Sequence, residues 1–314
     1  MKKLAVVAFG GNALLRAGQS GTAEEQEQNC YDTCKKLIPL IKDGYKLVIT
    51  HGNGPQVGNI YLRSDAGYSV YHIPKMPLDI AVADSQGEIG YMVERQMRNL
   101  LVENKIDKKV ITVLTQVLVS KEDEAFKAPS KPVGPFYIKE EADLLSKAND
   151  WLFTEDPRKR GWRRVVASPM PMNILNSGII RCLVNDGHIV IAAGGGGIPV
   201  YLDEKNTYHP IEDAVIDKDL ASSLLASQIN ADVFYILTDV PKVCINFNKP
   251  NQQELNVIKV SDALNYYNQN QFPAGSMGPK ILAAINFVER TGNKTIITEA
   301  TQVGNPDAGT MIVA

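Results

Sequence analysis

The sequence has few cysteines, little excess charge and no long hydrophobic run. Its 314 residues include four cysteines, at positions 30, 34, 182 and 244, too few and too scattered for a disulfide scaffold. Cys30 and Cys34 form a C-x3-C spacing with no second pair nearby, which argues against a zinc site. The 33 basic and 35 acidic side chains leave a formal net charge of −2, which argues against a protein that mainly binds nucleic acid.

No apolar stretch reaches the roughly 18 residues that a membrane helix needs, so we expect no membrane segment. The start of the chain is similar to a signal peptide, with two lysines before the apolar run Leu4–Phe9. Gly10 ends that run after six residues, whereas the apolar core of a signal peptide has about 7–15. We therefore interpret Leu4–Phe9 as a first buried strand and expect a cytosolic protein.

Short apolar segments alternate with amphipathic ones along most of the chain. Strands are expected at Leu4–Phe9, Lys46–Thr50, Val110–Val119, Arg164–Ala167, His188–Ala193, Val233–Leu237 and Lys294–Thr298. Helices are expected from the capping box Thr22–Glu25 to Asp43, after the turn His51–Pro55, after Pro77, and at Asn173–Asp186, Asp217–Gln228, Ser261–Asn268 and Pro279–Thr291. This alternation predicts an α/β fold with a mainly parallel sheet and helices on both faces. At about 150 residues per domain the length suggests two lobes.

Two stretches interrupt this alternation. Residues Ser120 to about Arg163 are polar and carry four prolines between two expected core strands. A connection of that length inside a compact domain is usually a functional insert or a lid. The second stretch, Ile198–Ile216, follows four consecutive glycines, and we expect the chain to cross there to its second lobe.

Glycines cluster at four places, three of which directly follow expected strands. Glycine at the carboxyl end of a parallel strand lets backbone N–H groups approach an anion. A tight turn alone explains any one of these glycines, but their repetition at three strand ends favours a phosphate or carboxylate site. Neither G-x-G-x-x-G nor G-x-x-x-x-G-K-[ST] occurs, which disfavours an NAD-dependent enzyme and a P-loop protein. The clusters are Gly10 and Gly11, Gly52 and Gly54, Gly194–Gly197, and Gly275 with Gly278.

Three lysines stand in unusual positions. Lys218 and Lys280 fall in the first turns of expected helices, with Pro279 expected at a first helical position; a cation there opposes the helix dipole by about 0.3–1 kcal/mol. Local rules are most often broken at functional sites, although solvation or an acidic partner would also explain each lysine. Adjacent helix positions diverge, so we expect Asp219 to face away from Lys218 and to position another cation. Lys131 lies in the proline-rich insert, where a surface loop is the alternative.

The four histidines show no metal-ligand spacing and G-x-S-x-G is absent, so neither a protein-held metal nor a serine triad is predicted. The motifs together resemble the carbamate kinase family, within the amino-acid-kinase fold. The likeness runs in consistent order over nearly the whole chain. Its segments are Phe9–Leu14, His51–Gly58, Lys131–Tyr137, Gly161–Val166, Gly194–Pro199, Asp213–Ala221, Leu237–Val240 and Gly275–Lys280.

The resemblance implies a three-layer αβα sandwich. It implies an N-terminal lobe (1–198) for carbamate or carbamoyl phosphate, from which a subdomain (120–163) protrudes, and a C-terminal lobe (199–314) for the nucleotide. It further implies a homodimer, ATP or ADP with Mg²⁺, and the reaction ATP + carbamate = ADP + carbamoyl phosphate, often run toward ATP in arginine fermentation.

The resemblance also assigns the site residues. The acyl-phosphate side would be lined by Gly10, Gly11, Asn12, Gly52, Asn53 and Gly54. The catalytic set would be Lys131, Lys218, Lys280 and Asp219, and the nucleotide would be bordered by Thr238, Asp239, Val240, Met277 and Gly278 as well as by Lys218 and Lys280.

One position departs from many amino-acid kinases. Those enzymes carry a lysine two residues before the first Gly-Gly, where this chain has Ala8, and the resemblance assigns the missing charge to Lys131. Two alternatives stay open: a kinase of the same fold that phosphorylates an amino-acid carboxylate or UMP, and a non-catalytic nucleotide sensor.

Overall fold

The structure, a computed structural model, describes residues 3–10, 14–16, 18–156, 159–273, 275–305 and 307–314. Its helices are α1 (Ala23–Lys35), α2 (Ile38–Lys42), α3 (Gly54–Tyr71), α4 (Leu78–Glu103), α5 (Lys139–Asn149), α6 (Ser177–Asn185), α7 (Lys218–Gln228), α8 (Val260–Asn268) and α9 (Met277–Thr291). Its strands are β1 (Leu4–Phe9), β2 (Lys46–His51), β3 (Val110–Thr112), β4 (Gln116–Leu118), β5 (Lys131–Tyr137), β6 (Leu152–Glu155), β7 (Trp162–Val166), β8 (Asn173–Ile174), β9 (Ile189–Ile191), β10 (Ile198–Leu202), β11 (Tyr208–Pro210), β12 (Val233–Thr238), β13 (Cys244–Ile245), β14 (Gln253–Glu254), β15 (Val257–Lys259), β16 (Lys294–Glu299) and β17 (Thr310–Val313).

Eight strands form the central sheet, in the order β15-β17-β16-β12-β1-β2-β9-β3. The six strands from β16 to β3 pair in parallel. At the other edge β17 runs antiparallel to β16 and parallel to β15. The expected mainly parallel sheet is confirmed, and β1 lies near its centre, which explains why Leu4–Phe9 is buried throughout.

The two faces of the sheet carry separate hydrophobic cores. Along β1, Val6 and Ala8 pack in one core with residues of α6, α7, α8 and α9. Ala5, Val7 and Phe9 pack in the other, with residues of α1, α2 and α4. Because successive side chains of a strand point to opposite faces, a continuous apolar run such as β1 fits a sheet with helices on both sides. The expected three-layer αβα sandwich is thereby confirmed.

The predicted insert contains its own antiparallel sheet, in the order β5-β7-β6. A further sheet has the order β11-β10-β4-β8. Its strand β4 precedes the insert in sequence and β8 follows it, whereas β10 and β11 lie between β9 and β12 of the central sheet. The division into lobes at residue 198 stays a prediction. No described helix combines the length and the apolar character needed to traverse a lipid bilayer.

The single strand predicted over Val110–Val119 is wrong, because β3 and β4 belong to different sheets. The chain leaves the central sheet at Thr115. Its backbone N–H donates to Gln86 Oε1 (2.8 Å) and its hydroxyl accepts from the Ala193 N–H (2.9 Å). Side chains therefore take hydrogen bonds that a continuous strand would have given to its neighbours.

Three helix boundaries also differ from those predicted. The capping box at Thr22 and Glu25 is confirmed, but the helix predicted to reach Asp43 is split into α1 and α2, because Pro39 has no N–H for a continuous helix. The helix predicted from Asn173 begins at Ser177, and Asn173 belongs to β8. Pro279 is the third residue of α9 rather than the first.

Candidate active site

One cavity, of about 360 Å³, lies where β2 and β12 end and where α3, α7 and α9 begin. Ligands of open α/β sheets bind at this edge. The insert closes one side of the cavity with residues of β5. The predicted site residues that line it are Gly52, Asn53, Gly54, Lys131, Lys218, Asp219, Thr238, Asp239 and Lys280.

Two lysines share one carboxylate in this cavity. Lys218 Nζ donates to Asp219 Oδ1 at 2.5 Å, and Lys280 Nζ donates to Asp219 Oδ2 at 2.9 Å. The expectation that Asp219 faces away from Lys218 is wrong. The rule on adjacent positions describes how side chains leave the helix, whereas the four-carbon stem of lysine can fold around an open first turn.

Burial and charge compete in this cluster. Burial lowers the pKa of Lys218, and the nearby charge of Lys280 lowers it further. The negative charge of Asp219 opposes this shift without reversing it. For Lys280, burial disfavours the ammonium form, but the attraction of Asp219 outweighs it and the pKa is raised. Burial also disfavours the Asp219 carboxylate, but Lys218 and Lys280 outweigh it and its pKa is lowered. Two cations on one anion leave one net positive charge.

Lys131 reaches the same cavity from the insert. Its Nζ donates to Asp217 Oδ2 at 2.7 Å. Asp217 is also the N-cap of α7, since its Oδ1 accepts the backbone N–H groups of Asp219 (2.9 Å) and Leu220 (3.3 Å). The insert is thus tied to the helix that carries Lys218.

The glycine run after β9 forms a turn against the cavity. Gly195 has φ +65°, and a Cβ there would overlap the Asn53 amide. Asn53 Nδ2 donates to Ser85 Oγ (2.8 Å), whose own proton goes to the Val82 carbonyl (2.6 Å). Because Ser85 must then accept, the Asn53 amide has one orientation. Gln86 Nε2 donates to the Gly194 carbonyl (3.0 Å) and fixes the turn.

The His51 ring packs against the glycine turn at Gly194. A Cβ on Gly194 would lie 2.5 Å from the His51 ring. His51 Nδ1 lies 3.0 Å from the Gly52 carbonyl oxygen, and since a carbonyl only accepts, Nδ1 carries the proton. Burial lowers the pKa of His51 to about 4, and the charge of Lys218 adds to the shift. The ring is therefore a neutral, fixed wall at pH 7.

The remaining predicted residues lie elsewhere. Gly10 lines a neighbouring cavity of about 190 Å³, which shares Thr238 and Asp239 with the first. Gly11 and Asn12 fall outside the described residues. The residues Val240, Met277 and Gly278 stand beside the main cavity without lining it, and Met277 packs on a hydrophobic core.

Among the lining residues that the sequence did not assign to the site are Asp217 and Gly195. The sequence indicates Asp217 only as the residue that opens a helix, although aspartate at an N-cap has a second oxygen to offer another donor. Gly195 belongs to the run Gly194–Gly197, whose place after a strand favours an anion site, but the predicted site residues include no member of that run. Both line the cavity, which brings three ammonium groups, three carboxylates and glycine backbone together in the manner of a phosphate-handling site.

Relatives with similar sequences cover nearly the whole chain. The sequence profile of the amino acid kinase family matches residues 3–299. A carbamate kinase of Thermococcus kodakarensis is 48% identical, covering 99% of this chain and 99% of that protein. A carbamate kinase of Lentilactobacillus hilgardii is 47% identical, covering 99% of this chain and 98% of that protein.

Solved structures agree with this relationship. The carbamate kinase from Giardia lamblia bound to AMP-PNP has a TM-score of 0.91 and 43% identity, covering 99% of this chain and 98% of that one. The UMP kinase from Bacillus anthracis, at 15% identity and a TM-score of 0.50, shares the fold alone. The chain belongs to the amino acid kinase family and, within it, to the carbamate kinases.

Proposed function

We propose that this chain catalyses reversible phosphoryl transfer between ATP and carbamate, giving ADP and carbamoyl phosphate. One observation carries the proposal: Lys131, Lys218 and Lys280 come from three separate elements and line one cavity. The carbamate kinases that resemble the chain over nearly its whole length support the choice of acceptor.

The proposed mechanism needs positioning and charge neutralisation more than acid–base chemistry. Carbamate is already an anion, so its oxygen attacks the γ-phosphorus without giving up a proton. The leaving ADP departs in line with that attack. The three lysines counter the charge that spreads over the phosphoryl oxygens, and Asp219 fixes the ammonium groups of Lys218 and Lys280 by pairing with both.

We assign the two ends of the cavity to the two substrates. Gly52, Asn53 and Gly54, with the Gly195 turn, form the acceptor end. Thr238, Asp239 and Lys280 begin the nucleotide end, with Val240, Met277 and Gly278 beside it. The AMP-PNP bound to the Giardia lamblia relative supports a nucleotide here. Gly10, Gly11 and Asn12 stay assigned to the acyl-phosphate side as predictions.

Magnesium fits this site as a companion of the nucleotide. Within the described ranges there is no cluster of three or more His, Cys, Asp or Glu side chains that could hold a metal ion. The carboxylates of Asp217 and Asp219 are already engaged by lysines. Mg²⁺ commonly keeps waters and binds through substrate phosphates, where it supplies further charge neutralisation.

We place the reaction in the cytosol and in the direction of ATP synthesis, as part of arginine fermentation. The cysteines, all four free thiols, support a reducing compartment.

We also propose a homodimer. The exposed apolar side chains of Tyr68, Val70, Tyr71 and Ile73 at the end of α3 support a protein contact there. Light scattering at several concentrations tests the dimer.

The decisive experiment is a coupled assay for ATP formation from ADP and carbamoyl phosphate. Acetylglutamyl phosphate formation and UDP formation are measured in parallel with ATP as donor. We expect ATP formation from carbamoyl phosphate to be far faster than phosphoryl transfer from ATP to acetylglutamate or to UMP. Preference for UMP or an amino-acid carboxylate would replace the proposed acceptor, and binding of ATP without any transfer would indicate a sensor.

We further propose that the insert, residues 120–163, closes over the acceptor end. Limited proteolysis of the protein alone, with ADP, and with ADP plus carbamoyl phosphate tests this closure. We expect cleavage within the insert to slow when both substrates are present. Equal cleavage under all three conditions would contradict a lid.

A further inference from the structure

Asp217 is a single buried carboxylate that serves two elements. Its Oδ1 caps α7, and its Oδ2 accepts from Lys131 Nζ at 2.7 Å. Lys131 and Asp217 are 86 residues apart in sequence. The Asp217 side chain is 11% exposed and that of Lys131 is 35% exposed, so the carboxylate is the fixed member of the pair.

The backbone that precedes Asp217 is also hydrogen-bonded to the chain at the end of β7. Ala214 forms a parallel bridge with Ala167, and the Val215 N–H donates to the Ala167 carbonyl at 3.0 Å. Asp213 Oδ1 accepts from Arg164 Nη2 at 2.5 Å. The segment that leads into α7 therefore runs along the base of β7, and Asp217 is its last residue before the helix.

We propose that Asp217 is a positioning residue that places Lys131 for the transferred phosphoryl group. The inference rests on the proposed function and deepens it. Lys131, Asp217, Lys218, Asp219 and Lys280 alternate in sign and sum to one positive charge. Without Asp217, the ammonium group of Lys131 loses its fixed partner and must be ordered when the phosphoryl group arrives, which costs side-chain entropy.

Asp217→Asn separates this role from helix capping. Asparagine keeps a capping oxygen of nearly equal strength but loses the charge that holds Lys131. We expect kcat for ATP formation to fall about tenfold, the KM for ADP to stay within about twofold, and the melting temperature to stay within about 2 °C. Asp143→Asn, which removes an exposed carboxylate paired with Lys139 inside the insert, is the matched control and should leave all three unchanged.

A double-mutant cycle with Lys131→Ala tests whether Asp217 acts through that lysine. We expect Asp217→Asn to change kcat less than twofold in the Lys131→Ala background, because the group it positions is gone. An equal loss in both backgrounds would overturn the proposal. Rescue by raised Mg²⁺ in both backgrounds would also overturn it, because Asp217 would then serve the metal.

Two further measurements keep the result decisive. The cycle is repeated on the affinity for AMP-PNP, which needs no transfer reaction. If carbamoyl phosphate is no substrate, the proposed function fails. Coupling between the two substitutions in AMP-PNP affinity would still support the placing of Lys131 by Asp217, and additive effects would refute that role.

A second variant covers the case in which Asp217→Asn does not fold. Asp217→Ser, which also caps a helix, then replaces it, and unfolding of both variants would show that Asp217 is structural.

Discussion

The cavity receives its positive charge from two regions that are built differently. Lys218 and Lys280 stand on α7 and α9, helices of one core layer that pack together through the bond from Ser223 Oγ to the Ala283 carbonyl (2.7 Å). Their side chains are 17% and 14% exposed, and both bind Asp219. Lys131 comes from the separate sheet of the insert and is 35% exposed.

The difference separates stability from catalysis. A buried carboxylate shared by two cations is part of the core, so its removal disturbs folding and chemistry together. A lysine that is 35% exposed on a separate sheet contributes little to folding, because ion pairs near the surface are worth about 0–1 kcal/mol. We therefore expect substitutions in the first region to affect both properties and those in the second region to affect catalysis alone.

The largest effect is expected from Asp219→Asn. The substitution leaves Lys218 and Lys280 buried beside each other without a compensating charge. Removing one partner of a buried pair typically costs about 3–5 kcal/mol. We therefore expect the free energy of unfolding, measured in urea, to fall by that amount and activity to be lost. Asp65→Asn, which removes an exposed partner of Lys75, should cost less than about 1 kcal/mol. Equal costs in the two variants would show that the cluster is not part of the stable core.

Lys131→Ala tests the second region. The loss of one preorganised donor at a developing charge typically lowers the rate by about 10²–10³, and we expect this loss in the ADP-to-ATP assay. The free energy of unfolding should change by less than about 1 kcal/mol. Lys127→Ala, at an exposed lysine near the start of the insert, is the control. Turnover near that of the unmodified protein would remove Lys131 from the mechanism.

His51 makes the wall of the cavity sensitive to acid. Burial lowers its pKa from 6.5 to about 4, so between these values the unfolded chain binds a proton that the folded protein does not. Stability therefore rises with pH across this window and is lost as pH falls, by about 3 kcal/mol in full. The lowered pKa of Asp219 adds to the acid loss below about pH 4.

The measurement is the free energy of unfolding at several values between pH 4 and 7. His51→Gln should flatten the dependence in this window, whatever its effect at pH 7, because glutamine does not titrate. His72→Gln, at an exposed position, controls for the exchange itself. An unchanged slope in His51→Gln would mean that other groups set the acid sensitivity.

The sequence predicted best what depends on neighbours along the chain. The strand β1 and the cap at Thr22 follow from local pattern, and both are confirmed. Lys218 and Lys280 stand out in the sequence because a cation at a helix start is locally unfavourable. The bond between Lys131 and Asp217 joins residues 86 positions apart, and local pattern carries no information on such a contact.

Two errors, the orientation of Asp219 relative to Lys218 and the single strand over Val110–Val119, have tertiary causes. Lys218 folds back onto Asp219 because a long flexible stem is not bound by the direction of its Cβ. The chain leaves the central sheet at Thr115 because Gln86, on α4, supplies its hydrogen bonds. Both depend on tertiary contacts, which periodicity does not report.

The smallest expected effect concerns Gly195, which lines the same cavity as the three lysines. Alanine there must adopt φ +65° and place a Cβ into the Asn53 amide. We expect a cost of about 1–3 kcal/mol in stability. We also expect turnover to fall, because Asn53 is displaced from its bond to Ser85.

Gly178→Ala is the matched control for this exchange. Gly178 lies in α6 with nothing within 4 Å of an added Cβ, so alanine should be neutral or stabilise by up to about 1 kcal/mol. Equal melting temperatures and equal turnover for the two variants would show that the Gly194–Gly197 turn can move. The fixed wall inferred from His51, Gln86 and Asn53 would then be wrong, and the acceptor end would owe its shape to the bound substrate.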